Sequence, residues 1–279
     1  MKNNFKNTII NGDSLKVLEY LPKESVHLII TSPPYNLSID YANHNDELPY
    51  EEYLEWMKQI WKGCKDVLVK GGRLCINIGE NKRQNINTPT HSSFIQQCSE
   101  LGFLYRGTII WNKNSSAKHC AWGSWQSASN PHIVPRHEYI ITFSKDDYKL
   151  DGEKAKTDMS GDEFMEYTRS VWNMGTESKT KIGHPAPFPL ELPKRLIKFY
   201  SFQGQTVLDI FSGSGTVGVA SNDLDRNFIL IDNSLEYCEL AKKRIEKRMN
   251  NLFSTENNVE IIDFEKLDMN VENENIVLL

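Results

Sequence analysis

The sequence predicts an α/β fold, a mainly parallel twisted sheet with helices on both faces. Three observations carry this. Short apolar runs alternate with longer amphipathic stretches along most of the chain, the order that produces parallel strands joined by helical crossovers. One run, Val26-His27-Leu28-Ile29-Ile30, enters Thr31-Ser32-Pro33-Pro34-Tyr35-Asn36; two successive prolines continue neither a ladder nor a helix. Another, Thr206–Ile210, feeds the glycine-rich turn Phe211-Ser212-Gly213-Ser214-Gly215-Thr216, with a helix directly behind it.

The elements follow in order. Residues 50–69 place Tyr53, Leu54, Met57, Ile60, Trp61, Cys64, Val67 and Leu68 on one helical face. Gly71-Gly72 breaks that helix, and Arg73–Ile78 reads as the next strand. A helix is expected over about 92–101, then strands Gly107–Trp111 and Tyr139–Phe143. The loop 112–136 between them is rich in Ser, Asn, Trp and His, and 144–182 reads as polar and irregular. Order resumes with a helix at Leu190–Ser201, strand Thr206–Ile210, a helix over about 216–223, strand Asn227–Ile231 and a charged helix over about 234–249.

Composition bounds the class. The chain has 279 residues, 39% hydrophobic and 25% charged, enough for one large α/β domain with a small insert, or for two modest domains. No apolar run approaches the roughly 18–20 residues that span a bilayer, and Met1–Lys6 lacks the apolar core of a signal peptide. A cytoplasmic protein without membrane contact is expected. Cys64, Cys75, Cys98, Cys120 and Cys238 are scattered with no CxxC pair, which points to reduced thiols and no metal site. None follows a proline, so a Pro-Cys nucleophile is absent. The net charge of −5 is concentrated at the end: residues 251–279 carry seven acids against Lys266, leaving the rest close to neutral. A neutral body can still present a basic cleft. The acidic, Asn-rich tail reads as a loosely attached appendage.

The glycine-rich turn is a ligand turn. Gly213, Gly215 and Gly218 formally satisfy GxGxxG, and Asp232, at the end of the following strand, is placed to accept from ribose hydroxyls. Alone, this leaves NAD and S-adenosylmethionine open. Asp209 favours the second: it would repel a pyrophosphate but stabilise a sulfonium and an ammonium.

Ser32-Pro33-Pro34-Tyr35 is the most specific feature. An exocyclic base amine is a poor nucleophile because its lone pair is delocalised into the ring. A rigid Pro-Pro turn holds carbonyl acceptors for the amino hydrogens, Ser32 adds a side-chain oxygen, and Tyr35 offers a face on which an extruded base stacks. The catalysis is then largely positioning, with no covalent intermediate.

Together the two motifs resemble the β group of DNA amino-methyltransferases, which modify cytosine N4 or adenine N6. The resemblance covers about residues 8–248. It implies a Rossmann-like S-adenosylmethionine-dependent methyltransferase fold in permuted order: a catalytic-side half over 1–145, a small recognition insert over 146–182, a cofactor half over 183–250 and an acidic tail over 251–279. Ser32, Pro33, Pro34 and Tyr35 match the catalytic motif. Asp209, Phe211, Ser212, Gly213, Ser214, Gly215 and Thr216 match the cofactor motif, with Thr31 beside it. Asp13, in Asn11-Gly12-Asp13-Ser14, would approach the cofactor's adenine side. His184, Pro185, Ala186 and Phe188 resemble the segment at its methionine end. Asp232, with Asn233, resembles the ribose ligand.

The implied partner is double-stranded DNA, with Asn36, Lys113, Lys118, Trp122, Trp125, Lys179 and Lys181 as candidate contacts. Trp111 and His137-Glu138-Tyr139 resemble the catalytic-side subdomain, in a core role or touching DNA. A cognate restriction endonuclease, if there is one, is a separate chain. Ser at position 32 favours cytosine N4 over adenine N6, since many adenine members carry Asp or Asn there. An NAD-dependent oxidoreductase is the alternative from another class; it leaves Ser32–Tyr35 without a task.

Overall fold

The computed structural model describes residues 5–35, 48–83, 86–113, 123–177, 188–250 and 259–266. Strands are β1 (Thr8–Asn11), β2 (Val26–Thr31), β3 (Leu68–Ile78), β4 (Asn81–Arg83), β5 (Ile86–Thr88), β6 (Phe103–Asn112), β7 (His137–Lys145), β8 (Val171–Asn173), β9 (Thr206–Asp209), β10 (Asn227–Asp232) and β11 (Glu260–Asp263). Helices are α1 (Ser14–Tyr20), α2 (Tyr50–Val67), α3 (Thr90–Glu100), α4 (Gly161–Tyr167), α5 (Glu191–Tyr200), α6 (Thr216–Asp223) and α7 (Leu235–Asn250).

Nine strands form one sheet in the order β11-β1-β10-β9-β2-β3-β7-β6-β8, and β4-β5 is a separate hairpin. All neighbours are parallel except β3/β7 and β7/β6. Alternate strand residues feed two apolar layers. Ile10, Ile29, Leu74, Ile76 and Leu208 face α1, α2 and α3, where Trp61 and Phe94 are buried. Ile9, Leu28, Ile30, Val207 and Leu230 face α5, α6 and α7. This is the expected α/β architecture with both faces covered. Among the described residues no helix is long and apolar enough to cross a membrane. Cys64, Cys75, Cys98 and Cys238 are buried free thiols, and Cys120 lies outside the described residues.

Three expectations are corrected. Gly71-Gly72 does not break a helix; α2 ends at Val67 and β3 runs through both glycines. The pair absorbs a register shift, from Val26↔Leu68 to Leu28↔Arg73, and Gly71 (φ +74) lets the backbone carbonyl of Lys149 approach closer than a Cβ allows.

The stretch 144–182 is not irregular where it is described. Ser160 and Glu163 form a reciprocal capping box that starts α4, and three residues suffice for β8 to pair in parallel with β6. The Arg226 side chain is fully buried and gripped by both oxygens of Asp158 at 2.6 and 2.8 Å, which ties this stretch to the body.

The tail is not wholly an appendage. β11 pairs with β1, and Val259 and Phe264 are buried. The apolar residues Val259, Ile261, Ile262 and Phe264 override the acidic composition locally.

Candidate active site

β1, β10, β9 and β2 lie side by side and all run the same way. Their C-terminal ends therefore share one edge of the sheet, where ligands bind in open α/β folds. Ile29 lies opposite Leu208, so the Ser-Pro-Pro-Tyr corner and the glycine turn, far apart along the chain, emerge next to each other.

Hydrogen bonds knit the cofactor side. Asp232 Oδ2 accepts from Gly213 N at 2.7 Å and Oδ1 from Ser234 N at 3.0 Å. Each oxygen keeps a further lone pair for a ligand hydroxyl. Burial pushes the Asp232 carboxyl above the usual range, opposed by those two backbone donors. Asn11 Nδ2 and Gly12 N both donate to the Asp232 carbonyl, at 3.1 and 3.0 Å, and Ser14 Oγ donates to the Ile210 carbonyl at 2.6 Å. Asp13 is exposed and caps α1, its Oδ1 accepting from Leu15 N and Lys16 N at 3.0 and 3.1 Å.

Asp209 sits behind the turn, 1% exposed, and accepts from Phe211 N at 3.2 Å. Burial pushes its carboxyl up to about 7, against the Phe211 amide and the neighbouring Thr31 hydroxyl, with Asp232 adding to the rise. The buried Thr31 Oγ1 leans on this carboxyl without completing a hydrogen bond of good geometry. Gly215 (φ +73) precedes α6, and a Cβ there would lie 2.5 Å from Ala241 Cβ. Ser214 and Thr216 are buried; Arg244 Nη1 donates to the Ser214 carbonyl and, at 3.2 Å, to Thr216 Oγ1. Phe211 packs against Trp56 with centroids 5.7 Å apart. Phe188 is half-buried against the α5–α7 layer, and Asn233 is exposed. His184, Pro185 and Ala186 lie outside the described residues.

These residues fit S-adenosylmethionine. The buried hydroxyls Thr31 Oγ1 and Ser212 Oγ make no hydrogen bond, Asp232 has spare acceptor capacity, and two acidic side chains, Asp232 and the buried Asp209, flank the turn, a setting that suits a cationic ligand and not a phosphate.

On the catalytic side, Pro33 is buried and Ser32, Pro34 and Tyr35 are half-buried. The hydroxyl of Tyr53, on α2, donates to the Pro34 carbonyl at 2.8 Å. Ser32 Oγ donates to Tyr35 Oη at 3.3 Å, and Tyr35 Oη donates to Glu138 Oε2 at 3.2 Å. Asn77 Nδ2 reaches both Glu138 Oε2 at 2.7 Å and Tyr35 Oη at 3.4 Å. Glu138 is 8% exposed, and its Oε1 pairs with Lys113 Nζ at 2.5 Å.

Lys113, expected at DNA phosphates, thus directs its charge to a buried carboxylate. Trp111 is buried and donates to the Met174 carbonyl at 3.0 Å, a core role. Trp125 is 72% exposed on the loop leading to β7. Because β7 runs antiparallel to β3, that loop lies at the same sheet edge as the catalytic corner. Asn36, Lys118, Trp122, Lys179 and Lys181 fall outside the described residues.

Sequence reasoning missed Asn77, Tyr53 and Arg244 and left Glu138 between core and surface. A polar Asn inside the apolar run Leu74–Ile78 was an available signal, since a buried polar residue is more informative than a buried apolar one.

The profile of the DNA methylase family, N6/N4 methyltransferase type, matches residues 26–243. The chain is 42% identical over 175 residues to the type II methyltransferase M.MjaVI of Methanocaldococcus jannaschii, covering 63% of this chain and 89% of the relative. It is 32% identical over 271 residues to M.MjaI of the same organism, covering 82% and 88%. A Thermus thermophilus protein described as a DNA modification methylase, solved with S-adenosyl-L-methionine, superposes with a TM-score of 0.73 at 29% identity, covering 92% of this chain and 99% of that one.

Proposed function

Since this chain belongs to the DNA methylase family, whose members transfer methyl from S-adenosylmethionine to exocyclic amines of DNA bases, we propose that its target is the N4 amine of cytosine within a specific duplex sequence. One observation carries the choice of base: position 32, at the head of the Pro-Pro turn, holds a neutral hydroxyl, as in the form common to cytosine-N4 members. Adenine N6 is the second reading, because both amines pose the same chemical problem. The NAD-dependent reading is set aside by the family membership.

S-adenosylmethionine, when bound, supplies an electrophilic methyl group on a cationic sulfur. The chain's own residues do the rest. Asp232 and the Gly213 turn hold the ligand at the ends of β9 and β10. The Pro33 and Pro34 corner, pinned by Tyr53, presents carbonyls to the amino hydrogens. Ser32 Oγ, whose proton points to Tyr35, keeps its lone pairs for the amine. Tyr35 offers its ring to a base taken out of the stack. Trp125 and the loop around it contact DNA beside that opening, and the segment around 146–182 contributes to base readout. A restriction endonuclease of the same specificity is a separate partner.

The test is expression in a host lacking DNA methylation, followed by long-read sequencing and nucleoside mass spectrometry. N4-methylcytosine in one recurring context is expected. N6-methyladenine instead would overturn the choice of base, and unmodified DNA the reading as a whole.

A further inference from the structure

Ser32 is a weak acceptor for a nitrogen that must lose a proton, yet a carboxylate stands two hydrogen bonds behind it. We propose that Glu138 is the proton acceptor of the reaction, reached from the target amine through Ser32 Oγ and Tyr35 Oη. This rests on the amino-methyl transfer reading above.

The observations are geometric. The chain Ser32 Oγ → Tyr35 Oη → Glu138 Oε2 has links of 3.3 and 3.2 Å, and both donors in it point toward the carboxylate. These links are longer than a tight O–H···O bond, and catalytic hydrogen bonds commonly shorten once substrate fills the site. Glu138 is buried on β7, where the ladder itself needs only its backbone. Its orientation is fixed from three sides, by Tyr35 and Asn77 at Oε2 and by Lys113 at Oε1. A Cβ at Gly79 would come within 3.3 Å of Tyr35 Cε2 and 3.5 Å of Glu138 Cγ, so a residue without a side chain leaves room where the two meet.

The step balances. The nitrogen lone pair forms the bond to the methyl carbon, and the pair of the broken carbon–sulfur bond stays on sulfur. The nitrogen gives its proton to Ser32 Oγ, the Ser32 proton moves to Tyr35 Oη, and the Tyr35 proton moves to Glu138 Oε2. Ser32 and Tyr35 end unchanged, and Glu138 ends as the neutral acid until it releases the proton to solvent. A chain of hydrogen bonds ending on a charge also polarises each member in turn, which strengthens Ser32 as an acceptor before the proton moves. Glu138 acts through Tyr35 and Ser32, so its role is that of a positioning and proton-accepting partner.

The experiment is single-turnover methyl transfer from labelled S-adenosylmethionine to duplex DNA, with the two dissociation constants measured separately. Glu138→Gln keeps the shape and an acceptor oxygen but takes no proton; a loss on the order of 10²-fold in the transfer rate is expected, with both affinities within about twofold of wild type. Tyr35→Phe keeps the ring and cuts the same chain, so it loses a similar amount, and the double variant is no slower than either single one. Ser32→Asp puts a carboxylate at the amine itself and restores at least about tenfold when added to Glu138→Gln, a rescue that a packing role for Glu138 would not allow. Wild-type transfer by Glu138→Gln would overturn the proposal, as would losses that multiply in the Tyr35/Glu138 double variant. A wild-type protein that transfers no methyl to any DNA amine would instead overturn the function on which the proposal stands.

Discussion

The hydroxyl of Tyr53 donates a 2.8 Å hydrogen bond to the carbonyl of Pro34, fastening the first turn of α2 to the Ser-Pro-Pro-Tyr corner. Tyr53 is fully buried and packs near Phe94, so its ring is fixed by the core and its oxygen by the turn. Tyr53→Phe keeps the packing and removes the pin. Stability should fall by about 0.5–1.5 kcal/mol in urea unfolding. Methyl transfer should fall several-fold further than that loss explains, while cofactor affinity holds, because positioning carries much of this chemistry.

Asp209, proposed at the cofactor turn, should make cofactor binding pH-dependent. Its carboxyl is pushed up to about 7 by burial, so the folded protein holds a proton that the unfolded chain has released. Folding is therefore favoured by this group fully below about pH 4, and that advantage is lost as pH rises through 7. A cation seated at the glycine turn favours the ionised form and expels the proton. Affinity for S-adenosylmethionine should rise by up to about tenfold per pH unit between 5 and 7 and level off above. Calorimetry in buffers of different ionisation enthalpy reads the released proton; Asp209→Asn should abolish both the release and the slope.

The Arg226–Asp158 pair lies far from the chemistry and carries stability. Arg226 also donates to the carbonyls of Ser201 and Leu224, at 2.7 and 2.6 Å. Asp158→Ala leaves a buried guanidinium without its counter-charge and should cost about 3 kcal/mol in denaturant unfolding, with cofactor affinity in the folded fraction unchanged.

Trp125 tests the proposed DNA contact. A ring 72% exposed at the active edge has no packing to lose. Trp125→Ala should weaken duplex binding by about 1–3 kcal/mol in a fluorescence anisotropy titration at fixed salt, and leave the melting temperature within about 2 °C.

What could be read from the chain divides by range. Ser32–Tyr35 and Asp209–Thr216 were legible because each motif states its chemistry within a few adjacent residues. The α/β class was legible because strands buried on both faces are apolar throughout. The partners of Tyr35 were not, since Glu138 is 103 residues away and meets it only once β7 is placed beside β3. Lys113 shows the same limit: a basic residue in a polar loop reads as a phosphate contact until its carboxylate partner is seen. Short elements were the other loss. β8 and β11 have three and four residues, too few for a period to emerge, and they exist because a neighbouring strand edge was waiting for them.

The strand order has a consequence for how the protein comes into being. β1 and β2 follow one another in the chain but are held apart in the sheet by β10 and β9, which come from its last third. A growing polypeptide that has left the ribosome only as far as α4 carries the complete Ser-Pro-Pro-Tyr segment and a gap two strands wide beside it. The two halves of the proposed reaction centre are joined only once β9 and β10 have been made, so a product terminated before them should neither grip cofactor nor mark the genome.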